Sequence, residues 1–426
     1  SNTFTGGILI SEGTLIGNTQ SLLGNVVNNG NLIFNQSNAG TFAGNISGTG
    51  YVGKDGQGVL TLSGVNNYSN GTQIANGTIV GNTQSLIGNI LNNAALIFDQ
   101  SSTGQFAGNI SGSGSVTKLG QGNLTLTGNN SYTGGTTVST ASLIGNTQSL
   151  TGNIVDNATV IFDQATNGTF TGNISGTGAL LKLGSGSLTL SGRNSYTGGT
   201  TITTGTLIGN SQSLTGNIVD NAFLTFDQSN TAVIQSNDAV FAGRISGTGA
   251  FTKQGSSSLT LTGENNYQGG TTISAGALIG NTQSLIGNIV DNGTLIFDQS
   301  STGTFAGSIS GSGTVQARGQ GSLTLSGVNT YGGGTTISAG TLIGNAQSLT
   351  GNMINNATLI FDQSNTGTFA GSISGSGSVQ SCGQGNLTLS GVNTYRGGTT
   401  ISAGTLIGDT QSLTGNIVDN ATLIFD

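Results

Sequence analysis

Short apolar runs, evenly separated by glycine and asparagine, make up nearly the whole chain. Between residues 142 and 202 they read Ser142-Leu143-Ile144, Gly152-Asn153-Ile154-Val155, Thr159-Val160-Ile161-Phe162, Thr169-Phe170, Ala179-Leu180-Leu181, Leu188-Thr189-Leu190 and Thr200-Thr201-Ile202. Runs of two to four residues bounded by turn formers predict strands. Helix is excluded, because each interior glycine costs about 1 kcal/mol against alanine.

The pattern repeats. One phenylalanine series falls at Phe34, Phe98, Phe162, Phe226, Phe297, Phe361 and Phe425, and a second at Phe42, Phe106, Phe170, Phe241, Phe305 and Phe369. A tyrosine series falls at Tyr68, Tyr132, Tyr196, Tyr267, Tyr331 and Tyr395. All three step by 64 residues, with a single step of 71. Asp163 precedes Phe170 by seven residues and Asp227 precedes Phe241 by fourteen, which puts a seven-residue insertion within 231–239.

Tandem units of this kind predict one architecture for residues 1–426: an all-β, right-handed parallel β-helix, or β-solenoid. About three turns of roughly 21 residues fit each repeat, and some 20 turns at about 4.8 Å give a rod on the order of 95 Å. Apolar side chains are expected inside, with equivalent Phe, Leu and Ile residues stacked turn upon turn. Corner asparagines, as in Gly145-Asn146 and Gly152-Asn153, are expected to take left-handed backbone conformations and to bond to neighbouring corners. A string of small β-sandwiches is the rival, but 64-residue units without disulfides or tryptophan would each be marginal. The chain opens and closes within a repeat, which reads as a fragment of a longer solenoid.

Composition narrows the function. Of 426 residues, 77 are glycine and 5% are charged, with no proline, tryptophan or histidine. No window approaches the roughly 18 apolar residues of a membrane helix. The net charge of −7 with 8 Lys plus Arg leaves no basic stripe for nucleic acid or anionic lipid. Lacking histidine, the segment cannot hold a Ser-His-Asp or Cys-His arrangement, and one cysteine cannot build a zinc site. No cofactor is implied.

The segment Gly186-Ser187-Leu188-Thr189-Leu190-Ser191-Gly192-Arg193-Asn194-Ser195-Tyr196-Thr197-Gly198-Gly199-Thr200-Thr201-Ile202 resembles the autotransporter passenger-associated β-strand repeat. Close copies begin at Gly122, Ser257, Gly321 and Gly385, a weaker one at Gly58, and a partial one at Asn2. The resemblance implies a β-helical passenger on the outside of a Gram-negative bacterium, exported and held at the outer membrane by a C-terminal β-barrel. Such passengers include adhesins, proteases and other virulence factors.

Repeated polar side chains are the candidates for chemistry. Asp99, Asp163, Asp227, Asp298, Asp362 and Asp426 form one series. Asp156, Asp220, Asp291 and Asp419 form another, with Asn28, Asn92 and Asn355 in the remaining copies. Copies three turns apart would stand about 14 Å from each other, too far to share a metal or a glycosidic bond, and free exchange with Asn points to corner hydrogen bonding. Lys54, Lys118, Lys182 and Lys253 give way to Ala317 and Ser381, which reads as a solvated, edge-protecting lysine. Cys382 replaces Asp55, Leu119, Leu183, Gln254 and Arg318, which reads as an exposed, unconstrained position. Thr200-Thr201 recurs once per repeat, too sparsely for an ice-binding threonine array.

The insertion alone departs from the repeat, and its Val233, Ile234, Gln235, Asn237 and Asp238 are the partner-contact candidates. It reads first as an extra strand on the solenoid edge and second as a recognition protrusion. The chain is therefore expected to be a non-enzymatic structural stalk or adhesin, with host-cell or bacterial surface receptors, or copies of itself, as partners. The alternatives are the β-helical part of a polysaccharide-active enzyme whose catalytic residues lie elsewhere, and a self-stacking extracellular filament.

Overall fold

Alternation of apolar and polar positions at a period of two puts one set of side chains of every strand inside. In Ala179–Leu183, Leu180 and Lys182 are buried while Ala179, Leu181 and Leu183 are half-buried. The computed structural model describes residues 2–3, 6–229 and 238–426. Among these residues all regular structure is strand, paired in parallel as a β-solenoid. The chain divides into two compact units, Ser1–Gly216 and Asn217–Asp426.

Within the first unit one sheet climbs through Gly40–Phe42, Val59–Leu62, Thr78–Gly81, Ala95–Asp99, Ser115–Leu119, Thr136–Val138, Ile154–Asp156 and Ile174–Ser175. Each pairing advances the chain by one turn, as in Ile79↔Leu96 and Leu96↔Val116. Seven such steps carry it from Gly40 to Ile174, so the turns are shorter than expected and one repeat makes about three and a third of them. Phe34, Phe98 and Phe162 consequently lie in three different sheets. This corrects the expectation that equivalent side chains stack. Phe162 instead stacks between Gly145 and Lys182, and Val160 between Leu143 and Leu180.

Two stretches of each repeat occupy a face without forming a strand. In 191–199, the backbone N–H groups of Ser191 and Ser195 still donate to the carbonyls of Phe170 and Ile174 in the turn below. Asn194 ties this stretch in both directions: its Oδ1 accepts the Ile174 N–H (2.8 Å) and its Nδ2 donates to the Ser213 carbonyl (2.7 Å). In 146–153, Asn146 Oδ1 accepts the N–H groups of Gln148 and Ser149, an Asx turn. The expected left-handed asparagines do not occur among the described residues. Gly152 takes the left-handed conformation instead, with φ 68°, and the only described non-glycine residue with positive φ is Ala141. Corner-to-corner bonding by Asn153 does hold, its Oδ1 accepting the Asn173 N–H at 2.9 Å.

The interior of each unit is aromatic at one corner. Phe162 and Phe170 meet edge to face with centroids 5.1 Å apart, and Phe297 and Phe305 repeat the contact in the second unit at 5.1 Å. Tyr196 is also buried, its hydroxyl bonded to Thr200 Oγ1. In the second unit Ile218 pairs with Ile245, the counterpart of the Ile154–Ile174 pairing in a repeat of ordinary length, so register is kept across the insertion.

Candidate recognition surface

Four lysines reach inward, contrary to the expectation of solvated side chains. Lys54, Lys118, Lys182 and Lys253 are at most 1% exposed. Their alkyl stems lie among the core residues and their ammonium groups reach backbone carbonyls at a corner. Lys182 Nζ donates to the carbonyls of Leu183 (2.7 Å), Gly184 (2.8 Å) and Thr204 (3.2 Å). An ammonium has three protons, and all three find an acceptor. Burial lowers the pKa of each, to about 8 for Lys253, against the opposing pull of Asp227. Ala317 and Ser381 in the remaining copies suit a surface, which is why the series reads as solvated. Small residues also suit an interior, and both are buried.

The two aspartate series also separate. Asp156 is fully buried and Asp163 is exposed, so they do not form a carboxylate pair facing one substrate. Asp156 and its Asn counterparts close their strands on the inward side, and the expected hydrogen bonding holds there, Asp156 Oδ1 accepting the Ala158 N–H and Asn92 Oδ1 the Ala94 N–H. Among the described residues no group of three His, Cys, Asp or Glu side chains is placed to hold a metal ion. Cys382 is half-buried in Ser378–Cys382, opposite Asp362, and burial followed by the Asp362 charge raises its thiol pKa, which corrects the reading of an exposed site.

The outer faces carry neutral β-branched and hydroxyl side chains. On the sheet traced above, the outward column runs Thr41, Thr61, Val80, Ile97, Thr117, Thr137, Val155 and Ser175. Threonines of consecutive turns do align, Thr117 against Thr137, closer than expected, but Val80 and Ile97 interrupt the array.

Of the contact candidates, Val233, Ile234, Gln235 and Asn237 lie outside the described residues. Asp238 opens the strand Asp238–Phe241 and pairs with Ser258. Next to this strand is a groove of about 380 Å³, lined by Val240, Thr260, Ile279, Asn281, Asp298 and Arg318 among others. Val240 is 51% exposed. Arg318 Nε lies 3.1 Å from Asp298 Oδ2 at the groove wall, both side chains part-exposed, a pair of little energetic weight. At the base of the insertion, burial raises the Asp227 pKa, but hydrogen bonds from Ser229 and Gln254 outweigh it and hold the carboxyl below its usual range.

Sequence reasoning missed one device beside the insertion. In the regular repeats Gln164 Oε1 accepts the Thr147 N–H (3.1 Å) and its Nε2 donates to Thr147 Oγ1 (3.2 Å). A methyl group on Gly168 would collide with both partners of that clip. The position of Gly168 is Ala239 in the repeat with the insertion, and there the amide of Gln228 is buried without a hydrogen-bond partner among the described residues. The signal was the Gly-to-Ala change in a series that otherwise reads Gly40, Gly104, Gly168, Gly303 and Gly367.

Comparison with known proteins agrees with this construction. The passenger-associated-transport-repeat family matches residues 1–16, 53–80, 116–144, 180–208, 251–279, 315–343 and 383–407. Over 431 aligned residues the chain is 31% identical to the adhesin BmaC autotransporter of Brucella suis biovar 1 (strain 1330). The alignment takes in 85% of this chain and 12% of that protein. No solved structure matches the chain.

Proposed function

From a chain that belongs to the passenger-associated-transport-repeat family, we propose a structural and adhesive role on the outside of a bacterial cell. The segment is part of an autotransporter passenger, a β-solenoid scaffold that carries contact surfaces to a receptor on a host cell or on another bacterium. One observation carries this reading: the family's repeat recurs in every 64-residue unit, in a chain that is 31% identical to part of an adhesin.

The distribution of side chains supports it. Most aromatic rings, the four lysine ammonium groups and the Asp156, Asp220 and Asp291 carboxyls are spent on the interior, which leaves mainly neutral Thr, Ser, Asn, Val and Ile side chains, with a sparse exposed aspartate series, to meet a partner. Such a face favours uncharged hydrogen-bonding and apolar contacts over salt-dependent ones. No catalytic step is assigned, because the chain has no histidine and its carboxylates are split between interior and surface. The insertion within 231–239, with the adjoining groove at Val240, Ile279 and Arg318, is the contact region in this reading. It is the one stretch in which the repeat changes length.

The test is display. The chain is fused to the barrel of an unrelated autotransporter and expressed on a non-adherent bacterium. Surface accessibility with increased adherence to host cells or to sister bacteria is expected. Accessibility with adherence at background contradicts the adhesive role and leaves a scaffold alone.

A further inference from the structure

Asn92 and Asn355 share one buried arrangement, and Asn28 shares its donor half, its Oδ1 being buried without a partner among the described residues. Asn92 Oδ1 accepts the Ala94 N–H (3.2 Å), and its Nδ2 donates to the carbonyl of Ser115 in the next turn (2.8 Å). Asn355 repeats this with Ala357 (3.1 Å) and Ser378 (2.8 Å), and Asn28 Nδ2 donates to Tyr51 (2.8 Å). All three are fully buried.

Four other repeats carry aspartate at this position, and three of these, Asp156, Asp220 and Asp291, are fully buried, whereas Asp419 is exposed. Oδ1 keeps its role: that of Asp156 accepts the Ala158 N–H (3.0 Å), that of Asp220 the Ala222 N–H (3.0 Å), and that of Asp291 the Gly293 N–H (2.9 Å). Gly178 lies against the Asp156 carboxyl as Gly114 lies against the Asn92 amide, so the side chain has the same pose. Oδ2 therefore stands where the amide donor stood. All three Oδ2 atoms are buried without a hydrogen-bond partner among the described residues. An ionised carboxylate only accepts, so facing a carbonyl it sets lone pair against lone pair, whereas a protonated one donates.

We propose that Asp156, Asp220 and Asp291 serve as buried carboxylic acids, each donating from Oδ2–H to the backbone carbonyl of Ala179, Ala250 or Thr314. Those repeats then tighten in mildly acidic surroundings and loosen toward neutrality. Burial raises each carboxyl pKa to about 6, against the pull of its backbone hydrogen bonds. The free value is about 3.9, so the folded chain holds more protons than the unfolded chain between the two, and stability contributed here falls as pH rises through that window.

The charged groups nearby are engaged elsewhere. Strands Thr136–Val138 and Ile174–Ser175, paired with Ile154–Asp156, carry none. Tyr196 senses the Asp156 charge but bonds to Thr200, and Lys182 is held by its three carbonyls. Around Asp220, Lys253 is held likewise, Asp227 accepts from Ser229 and Gln254, Arg244 is exposed to solvent, and Tyr267 bonds to Thr271. Around Asp291, Arg318 pairs with Asp298 and Tyr331 bonds to Thr335.

The test compares the native chain with a triple Asp156→Asn, Asp220→Asn, Asp291→Asn variant, whose folding is supported by the natural asparagines. At about pH 7.5 the variant is expected to melt several degrees higher, and near pH 5 the gap should close. Asn92→Asp should import the same pH dependence. A gap that does not change with pH, or no gap, overturns the proposal. The sequence pI is about 4.2, so aggregation can obscure melting in acid. The carbonyl stretch of protonated carboxyl groups in infrared difference spectra then decides. Present near pH 5 in the native chain and diminished in the triple variant, it supports the proposal; equal in both, it overturns it.

Discussion

The hydroxyl of Tyr196 lies 2.7 Å from Thr200 Oγ1 in the closed interior, across the Gly198-Gly199 bend. Every complete copy of the motif repeats the bond, from Tyr68 with Thr72 (2.8 Å) to Tyr395 with Thr399 (2.6 Å). Burial raises the Tyr196 pKa to about 12, against the pull of Thr200, so the phenol stays neutral and bonded at any physiological pH. Gly199 makes the bend with φ 79°, which a side chain would strain.

Tyr196→Phe should therefore destabilise the chain by about 1 kcal/mol, the net worth of a neutral buried hydrogen bond. Chemical denaturation checks it, and Thr200→Val in the Phe background should add little, since both partners are then apolar.

Phe162→Ala is expected to cost about 3–5 kcal/mol, because the ring is fully buried and meets Phe170 edge to face. A parallel denaturation series with Val155→Ala, whose side chain is exposed, should show almost no change for the latter.

All four lysines should resist amine-reactive reagents in the native chain and react on unfolding. Mass spectrometry after pulse labelling reads this directly, and native labelling at Lys182 would contradict the inward placement. Lys182→Ala should cost about 1–3 kcal/mol, since it leaves the carbonyls of Leu183, Gly184 and Thr204 without their charged donor.

Gly168→Ala should destabilise its repeat by breaking the Gln164–Thr147 clip, whereas Ala239→Gly should be neutral or stabilising, because it frees the space that a Gln228 clip would need. Melting temperatures of the two variants give opposite or unequal shifts if the steric reading holds.

Much of this fold was legible because its signals are local and repeated. Alternation in Thr159–Asp163 marks Val160 and Phe162 as interior, and the Phe and Tyr series expose the 64-residue period. The fractional number of turns was not legible. Residues 146–153 and 191–199 each cover a face without strand character, and the two-residue strand Ile174–Ser175 carries too little pattern to be seen. Lys182 was misread because composition says polar, while its place on the inward side of a strand is set by register, and one of the carbonyls that it reaches comes from a neighbouring turn. The full burial of Asp156 was not legible for the same reason of register. Contact residues within the insertion have no repeat to be compared with, so periodicity says nothing about their roles.

The most direct measurement is binding of the purified chain to host cells and to bacteria displaying the same protein, with and without residues 231–237. Their removal restores the length of the common repeat, so the rest of the solenoid should fold unchanged. Binding by the native chain that falls to background in the shortened one is the expected result. Equal binding by both would contradict the assignment of contact to the insertion and its groove, and no binding by either would contradict the adhesive role.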